Sequence, residues 1–217
     1  MIRLIDVMKF YRIRRHRRLV LDNASMTFEA GHSYGLLGVN GAGKSTTIRL
    51  LAGTELPNRG RIQRTVRVSW PLGFAGGLHS GMTGVENITF VARVYGEDER
   101  LMLDTVADFA EIGAYLSAPV QTYSSGMLAR LAFGMSMAVS FECFLIDEVM
   151  GVGDARFQAK CQAEFTKRKA FADVIMASHD MGALKAYCDR GVLLADGKLR
   201  YFDTIDEAIE NYKEVNR

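Results

Sequence analysis

The chain lacks long apolar runs, closely spaced cysteines and an excess of one charge. Its longest stretch without a charged residue, Val68–Val85, contains one proline, one histidine and five glycines. This composition excludes a membrane-spanning helix, which needs about 20 predominantly apolar residues. No apolar run with a small-residue cleavage site follows the basic N-terminus, so we expect no secretory signal.

The three cysteines are far apart and form no Cys-x-x-Cys pair. They are Cys143, Cys161 and Cys188. Metal-binding and redox motifs place their cysteines close together, and secreted disulfide-rich chains have many more of them. We expect reduced, buried cysteines in a cytoplasmic protein.

Charge is nearly balanced over the whole chain but not along it. The net charge of +2 argues against a nucleic-acid-binding protein. Residues 1–18 contain seven basic side chains and one acidic side chain, a net charge of +6, which leaves −4 on the remaining 199 residues. The basic segment Arg12–Arg18 is expected to form a loop between edge strands. It has three interpretations: a solvated hairpin, a contact with phosphates of a bound ligand, or attraction to an anionic lipid surface.

Composition and pattern predict one packed α/β domain that carries a mostly helical insert. Apolar residues make up 48% and charged residues 24%, which is typical of globular chains. Strands that alternate with helices predict a mainly parallel sheet, preceded by an antiparallel sheet. We predict strands over 2–7, 19–28, 33–37, 66–70, 143–146, 174–177, 191–194 and 199–202. We predict helices over 44–52, 83–118, 125–139, 155–169, 181–188 and 204–215.

The strongest motif is Gly38-Val39-Asn40-Gly41-Ala42-Gly43-Lys44-Ser45, a full match to the phosphate-binding loop pattern GxxxxGKS. Glycines let such a loop curl so that its N–H groups face phosphate oxygens, and the following helix adds its positive dipole end. Lys44 is predicted to reach the β and γ phosphates and Ser45 to ligate Mg²⁺. Because a strand precedes the motif and a helix follows it, the sequence predicts nucleotide binding. The predicted nucleotide-binding site extends to Thr46.

A second acidic anchor follows the apolar strand at 143–146. Asp147 is predicted to hold Mg²⁺ through water, and Glu148 to polarise the water that attacks the γ phosphate. An apolar strand that ends in two acids is common by itself. Together with the phosphate loop, it predicts a nucleoside-triphosphate hydrolase.

Here the residues begin to resemble the ATP-binding cassette (ABC) ATPases, and the resemblance covers nearly the whole chain. It implies a P-loop core with a mainly parallel sheet, an N-terminal antiparallel β subdomain and a helical subdomain at about 83–140, within a single domain over 1–217. Ser124, Ser125 and Gly126, in YSSGM, resemble the family's signature loop, usually LSGGQ. An ordinary helix N-cap is the alternative interpretation of these serines.

Three further positions are similar to family positions. Asp154 resembles the loop residue that crosses the interface of the family's dimer. His179, after the strand VIMAS, resembles the histidine that contacts the γ phosphate, and Tyr11 the aromatic residue that stacks on adenine. The family's glutamine loop, expected around Gly73–Gly77, contains no glutamine in this chain.

Within the family, the chain most resembles the ATPase subunits that export capsular polysaccharide. The segments on which this resemblance rests are SWPLGFAGG with TGVEN, YSSGMLARLAFG and IDEVMGVGD. The resemblance implies a homodimer that closes over two ATP molecules on a separate membrane permease, at the cytoplasmic face of the inner membrane. It implies a permease-binding groove lined by Trp70, Phe74, Leu78 and His79, although packing beneath helices explains Trp70 and Phe74 equally well. Because the chain ends at Arg217, we expect no carbohydrate-binding domain after the ATPase.

Other functions remain open at this stage. One alternative is a soluble cassette ATPase that acts on ribosomes or DNA, although the chain has neither a tandem ATPase domain nor a long coiled coil. Another is an ABC ATPase for a different exported polysaccharide. A third, a module that uses ATP only as a conformational signal, has no need of Glu148 and His179.

Overall fold

The computed structural model describes residues 1–13, 16–72, 75–148 and 154–215. The chain forms two compact units, Met1–Pro71 with Phe141–Glu148 and Ala172–Arg217, and Leu72–Ser140 with Val149–Phe171. Residues 83–140, the predicted helical subdomain, belong to the second unit, which also includes the helix at 155–169. The assignment of 1–217 to a single ABC ATPase domain stays a prediction.

A three-stranded antiparallel sheet opens the first unit. Its strands, in spatial order, are β2 (His16–Phe28), β1 (Ile2–Ile13) and β4 (Arg59–Arg64). The predicted opening sheet is therefore confirmed, but β1 is its central strand and not an edge strand. The segment Arg12–Arg18 was expected to form a loop; instead, Arg12 and Arg17 pair across the hairpin, as do Tyr11 and Arg18. Arg14 and Arg15 lie outside the described residues.

The reason for this difference is that strand pairing uses backbone groups and tolerates polar side chains on an exposed hairpin. The same physics explains β4, which the sequence did not predict. Five of its six residues are exposed, so RGRIQR shows none of the apolar alternation that marks a half-buried strand.

The core of the first unit is a six-stranded sheet, parallel except for its last strand. Its spatial order is β5 (Val68–Pro71), β6 (Cys143–Asp147), β7 (Asp173–Ala177), β3 (Tyr34–Leu37), β8 (Arg190–Ala195) and β9 (Lys198–Phe202). All four residues of β3 are buried, as expected of a central strand covered on both faces. The helices of this unit are α1 (Lys44–Ala52), α6 (Met181–Tyr187) and α7 (Ile205–Val215). The predicted parallel sheet is confirmed.

The second unit is helical. Its helices are α2 (Gly84–Tyr95), α3 (Glu99–Ala110), α4 (Ser125–Ala138) and α5 (Ala155–Lys169), with 3₁₀ turns at Ala75–Gly77, Gly113–Ser117 and Val120–Thr122. The helix expected over 83–118 is divided at Gly96, whose left-handed backbone ends α2, before Asp98 caps α3. In α4, residues 131–137 are all buried, so this part of the helix is covered on every side.

The three cysteines are reduced and buried, as predicted. Burial raises the pKa of the Cys143 and Cys161 thiols to about 12, so neither is a reactive thiolate at neutral pH.

Candidate functional site

The phosphate loop connects β3 to α1, and tertiary packing determines where its glycines are required. Gly43 has φ 113°, and a Cβ there would lie 2.3 Å from Cγ1 of Val20. A Cβ on Gly38 would lie 2.7 Å from the carbonyl oxygen of Leu194. No real Cβ approaches other atoms this closely, so both positions exclude a side chain.

The first turn of α1 has no side-chain cap. Gly43 occupies the N-cap position and forms no side-chain hydrogen bond, whereas Ser or Asp side chains cap α3, α4, α5 and α6. The first N–H groups of α1 therefore remain available, and they carry the positive end of the helix dipole. This arrangement suits a bound anion.

Lys44 is the first residue of α1 and is 6% exposed. Its Nζ donates to the carbonyl oxygen of Gly38 at 2.7 Å and lies 3.4 Å from Nε2 of His179. Burial lowers the pKa of Lys44, against the opposing effect of the Glu148 and Asp147 carboxylates. A buried ammonium whose partners are neutral groups, the carbonyls of its own loop and an imidazole nitrogen, is well placed to bind a stronger anionic partner.

Ser45 and Asp147 meet at the carboxyl ends of the parallel strands. The Ser45 hydroxyl donates to Oδ1 of Asp147 at 2.9 Å. Burial raises the pKa of the Asp147 carboxyl, while the Ser45 hydrogen bond opposes the shift. Magnesium is usually held by one or two carboxylates, waters and substrate phosphates, so this pair of oxygens fits that ion. Among the described residues, no group of three acidic, histidine or cysteine side chains forms an all-protein metal cage.

Glu148 and His179 form a pair beside Lys44. Oε1 of Glu148 lies 2.9 Å from Nε2 of His179, and both side chains are about half exposed. Glu148 has φ 60°, a left-handed backbone that is uncommon for a non-glycine residue. Its N–H donates to the carbonyl of Ala177 on β7 at 2.8 Å, which holds this strained residue at the strand end.

Tyr11 reaches α1 from the antiparallel sheet. Its hydroxyl donates to Glu55 and lies 3.4 Å from Oγ1 of Thr46. Burial would raise the pKa of Glu55, but hydrogen bonds from Lys9, Tyr11 and Arg49 hold it below its usual range. Sequence reasoning missed Glu55, because no motif marks it. Its carboxylate holds the predicted adenine-stacking residue in place.

A cleft of about 520 Å³ brings most of the predicted nucleotide-binding residues together. Its lining is Tyr11, Arg12, Arg18, Val20, Asn40, Gly41, Gly43, Lys44, Ser45, Thr46 and Glu148. Gly38, Val39 and Ala42 complete the loop without lining the cleft. Arg12 and Arg18 were not predicted individually, although their basic segment was.

The signature-like residues belong to the second unit. Oγ of Ser124 accepts from the N–H of Met127 at 3.2 Å, so Ser124 is the N-cap of α4. Ser124 and Ser125 are exposed, and a Cβ on Gly126 would meet only Oγ of Ser124, at 3.9 Å. Asp154 caps α5 through the N–H of Phe157 and accepts from Arg130 at 2.8 Å.

The residues proposed for a permease groove differ in burial. The half-buried Trp70 ring packs edge-on against Phe141, with 5.2 Å between ring centroids, which favours the packing interpretation. Leu78 is half-buried and His79 is exposed. Phe74, like Gly73 of the expected glutamine loop, lies outside the described residues.

A phosphate loop at the carboxyl end of β3, whose following serine bonds to the acid that ends β6, defines a P-loop nucleotide-binding protein. Sequence comparison identifies the family: the ABC transporter model matches residues 21–151, and the chain belongs to that family. The predicted family and the predicted fold class are thereby confirmed.

Relatives cover the whole chain. It is 44% identical to the capsule polysaccharide export ATP-binding protein CtrD of Neisseria meningitidis serogroup B, over 99% of this chain and 100% of the relative. It is 42% identical to the ATP-binding protein BexA of Haemophilus influenzae, over 100% of both. It is 43% identical to the polysialic acid transport ATP-binding protein KpsT of Escherichia coli, over 99% of both.

A solved structure shares the fold. It is an ATP-binding cassette in a dimeric post-hydrolysis state with ADP and Pi, with a TM-score of 0.74, 18% identity and coverage of 94% of this chain and 98% of that one. In residues 1–13, 16–72, 75–148 and 154–215, no helix has both the length and the apolar character needed to cross a bilayer.

Proposed function

We propose that this chain binds and hydrolyses ATP to drive the export of capsular polysaccharide through a separate membrane permease. One observation carries the ATPase assignment: Lys44, Ser45 and Glu148 line one cleft. His179 lies within contact distance of both Lys44 and Glu148, and Ser45 bonds to Asp147. The cargo assignment rests on full-length similarity to proteins named for the export of capsule polysaccharide and the transport of polysialic acid.

The phosphate loop and Lys44 would bind the triphosphate. The uncapped N–H groups at the start of α1 supply donors directed at phosphate oxygens. Lys44, now bonded to the carbonyl of Gly38, would exchange that neutral acceptor for charged phosphate oxygens. Tyr11, held by Glu55, would stack on the adenine ring.

Ser45 and Asp147 would hold magnesium. When bound, the ion neutralises charge on the β and γ phosphates. The hydroxyl and the carboxylate are 2.9 Å apart, so they already lie close enough to serve as neighbouring ligands. The absence of a third acidic ligand in the described part of the chain agrees with a site that substrate phosphates and water complete.

Glu148 would be the general base. A carboxylate at the mouth of the cleft can accept a proton from the attacking water, provided that it is oriented. His179 supplies the orientation, through its Nε2 at 2.9 Å from Oε1 of Glu148. Because Lys44 Nζ lies 3.4 Å from the same nitrogen, His179 is also near the expected γ phosphate.

A second copy of the chain would complete the site. Ser124, Ser125 and Gly126 offer hydroxyl and N–H donors at an exposed helix N-terminus, which suits the γ phosphate of the partner's ATP. Asp154 would lie in the loop that crosses the interface. The solved cassette of the same fold is itself described as dimeric.

Membrane association would come from the permease, at the cytoplasmic face of the inner membrane. The exposed arginines Arg3, Arg59 and Arg61 form no ion pair with any described residue and lie on paired strands of the antiparallel sheet. Each basic side chain near an anionic lipid surface contributes about 1 kcal/mol, so lipid attraction is a further part of the proposal.

The test uses the protein reconstituted with its permease in lipid vesicles. ATP hydrolysis should exceed that of a Lys44→Ala control assembled in the same way. In cells, Lys44→Ala should make the polysaccharide accumulate inside, and chemical identification of that polymer defines the cargo. Equal hydrolysis by both proteins excludes the ATPase, while normal surface polysaccharide in Lys44→Ala cells excludes this cargo.

A further inference from the structure

The basic hairpin brings one arginine to the phosphate loop. In the register of β1 and β2, Arg18 pairs with Tyr11, and directly opposed residues of an antiparallel pair project from the same face. Arg18 Nη2 donates to the carbonyl oxygen of Gly41 at 2.8 Å. A Cβ on Gly41 would lie 2.8 Å from that same nitrogen, so the guanidinium rests directly on the loop.

Arg18 is exposed and has no acidic partner among the described residues. A guanidinium has five N–H donors, and the bond to Gly41 uses one of them. The remaining donors face a cleft that is also lined by Arg12 and Lys44. A neutral carbonyl is a weaker partner for this group than a charged phosphate oxygen.

We infer that Arg18 is a nucleotide-binding residue, which lines the same cleft as Lys44 and binds phosphate oxygens of the nucleotide. The inference rests on the proposed ATP-binding function and deepens it. Of the three interpretations of the basic segment, the inference favours contact with phosphates, because the Arg18 side chain lines the nucleotide cleft.

Arg17, the preceding residue of β2, is the matched control. Its guanidinium lies over the Phe10 ring, 4.9 Å from the centroid, and it does not line the cleft. Successive residues of a strand point to opposite faces, so Arg17→Gln and Arg18→Gln remove the same charge from opposite sides of one hairpin.

The experiment measures the binding of ATP, ADP and AMP by calorimetry, with Mg²⁺, in a Glu148→Gln background that slows turnover. Arg18→Gln should weaken ATP binding about tenfold and AMP binding much less, because the lost contact is to phosphate. The loss should shrink in high salt, Arg18→Lys should restore part of it, and Arg17→Gln should bind ATP within about twofold of the parent.

Three results would overturn the inference. The first is ATP binding by Arg18→Gln within twofold of the parent, and the second is an equal loss in Arg17→Gln. An equal loss for ATP and AMP would also contradict it, since that pattern indicates general damage to the loop. Failure of the proposed function gives a different result, because the parent itself would then bind no ATP.

Discussion

The N-termini of α1 and α4 have similar sequences but opposite structural environments. Both helices begin after small residues, in GAGKS and YSSGM. At α1 the N-cap is Gly43, in a left-handed conformation and without a side-chain hydrogen bond. At α4 the N-cap is Ser124, whose hydroxyl already bonds to the N–H of Met127.

The surroundings differ as much as the caps. Val20 and Leu194 leave no space for a Cβ on the glycines of the phosphate loop, whereas Gly126 has open space around it. A cleft of about 520 Å³ adjoins α1 and is lined by Lys44, Ser45 and Glu148 of the proposed reaction. Packing therefore shapes the first site within the chain, while the second motif is exposed and, in the proposed dimer, would act on the nucleotide of a partner copy.

Glu148→Gln should have the largest effect. It removes the proposed base and keeps the hydrogen-bonding shape, so hydrolysis should fall by about 10²- to 10⁴-fold while ATP binding is retained. Trapped ATP should then hold two copies together, which size-exclusion chromatography with and without ATP detects. Adding Ser125→Ala should weaken that dimer, because it alters the signature-like motif of the partner. A fully active Glu148→Gln protein would remove Glu148 from the mechanism.

A pair of glycine substitutions compares the two helix starts directly. Gly43→Ala combines a left-handed φ with a Cβ contact of 2.3 Å and should lower the free energy of unfolding by about 3 kcal/mol. Gly126→Ala should change it by no more than about 1 kcal/mol, in the stabilising direction. Urea unfolding of both proteins measures these values. Equal destabilisation would show that the two loops are equally constrained.

Substitution of each serine of YSSGM should distinguish a role in capping α4 from a role in binding the partner's nucleotide. Ser124→Ala removes the N-cap bond and should lower the free energy of unfolding by about 1 kcal/mol. Ser125→Ala removes a hydroxyl that does not cap α4, so its unfolding should match the parent. Both should weaken the ATP-dependent dimer of the Glu148→Gln protein. A Ser125→Ala protein as destabilised as Ser124→Ala would contradict this division.

Asp147→Asn should have the smallest effect on folding, and it should be favourable. Burial raises the pKa of Asp147 in the folded protein above its value in the unfolded chain. The protonated side chain therefore stabilises the fold. This stabilisation is fully present below the pKa of the unfolded state and is lost as pH rises through the pKa of the folded state. At neutral pH the buried carboxylate therefore destabilises the fold, and asparagine should raise the nucleotide-free thermal midpoint by about 2 °C.

The same substitution should remove the extra stability that Mg²⁺ with ATP confers on the parent. Thermal melts between pH 4 and pH 8 provide the check. The amount by which Asp147→Asn raises the nucleotide-free thermal midpoint should grow with pH. An advantage that does not change with pH would rule out the buried carboxylate as its cause.

Much of the first unit could be predicted from local pattern. The bounds of α1 match the predicted helix, and Ser45 bonds to Asp147 as the motif requires. The polar edge strand β4 could not be predicted, because an exposed strand does not need to alternate. The bond between Tyr11 and Glu55 was missed as well, since it joins residues 44 positions apart without any shared motif.

The sequence by itself determined the chemistry of the phosphate loop, the acid-tipped strand and the order of strands and helices. These depend on residue types at short spacing, where backbone geometry is local. Only the tertiary structure decided that Arg18 reaches Gly41, because the register of a hairpin selects which side of the sheet each arginine faces. It also decided which glycines have no room for a side chain, since that depends on Val20 and Leu194, which are distant in sequence from the phosphate loop.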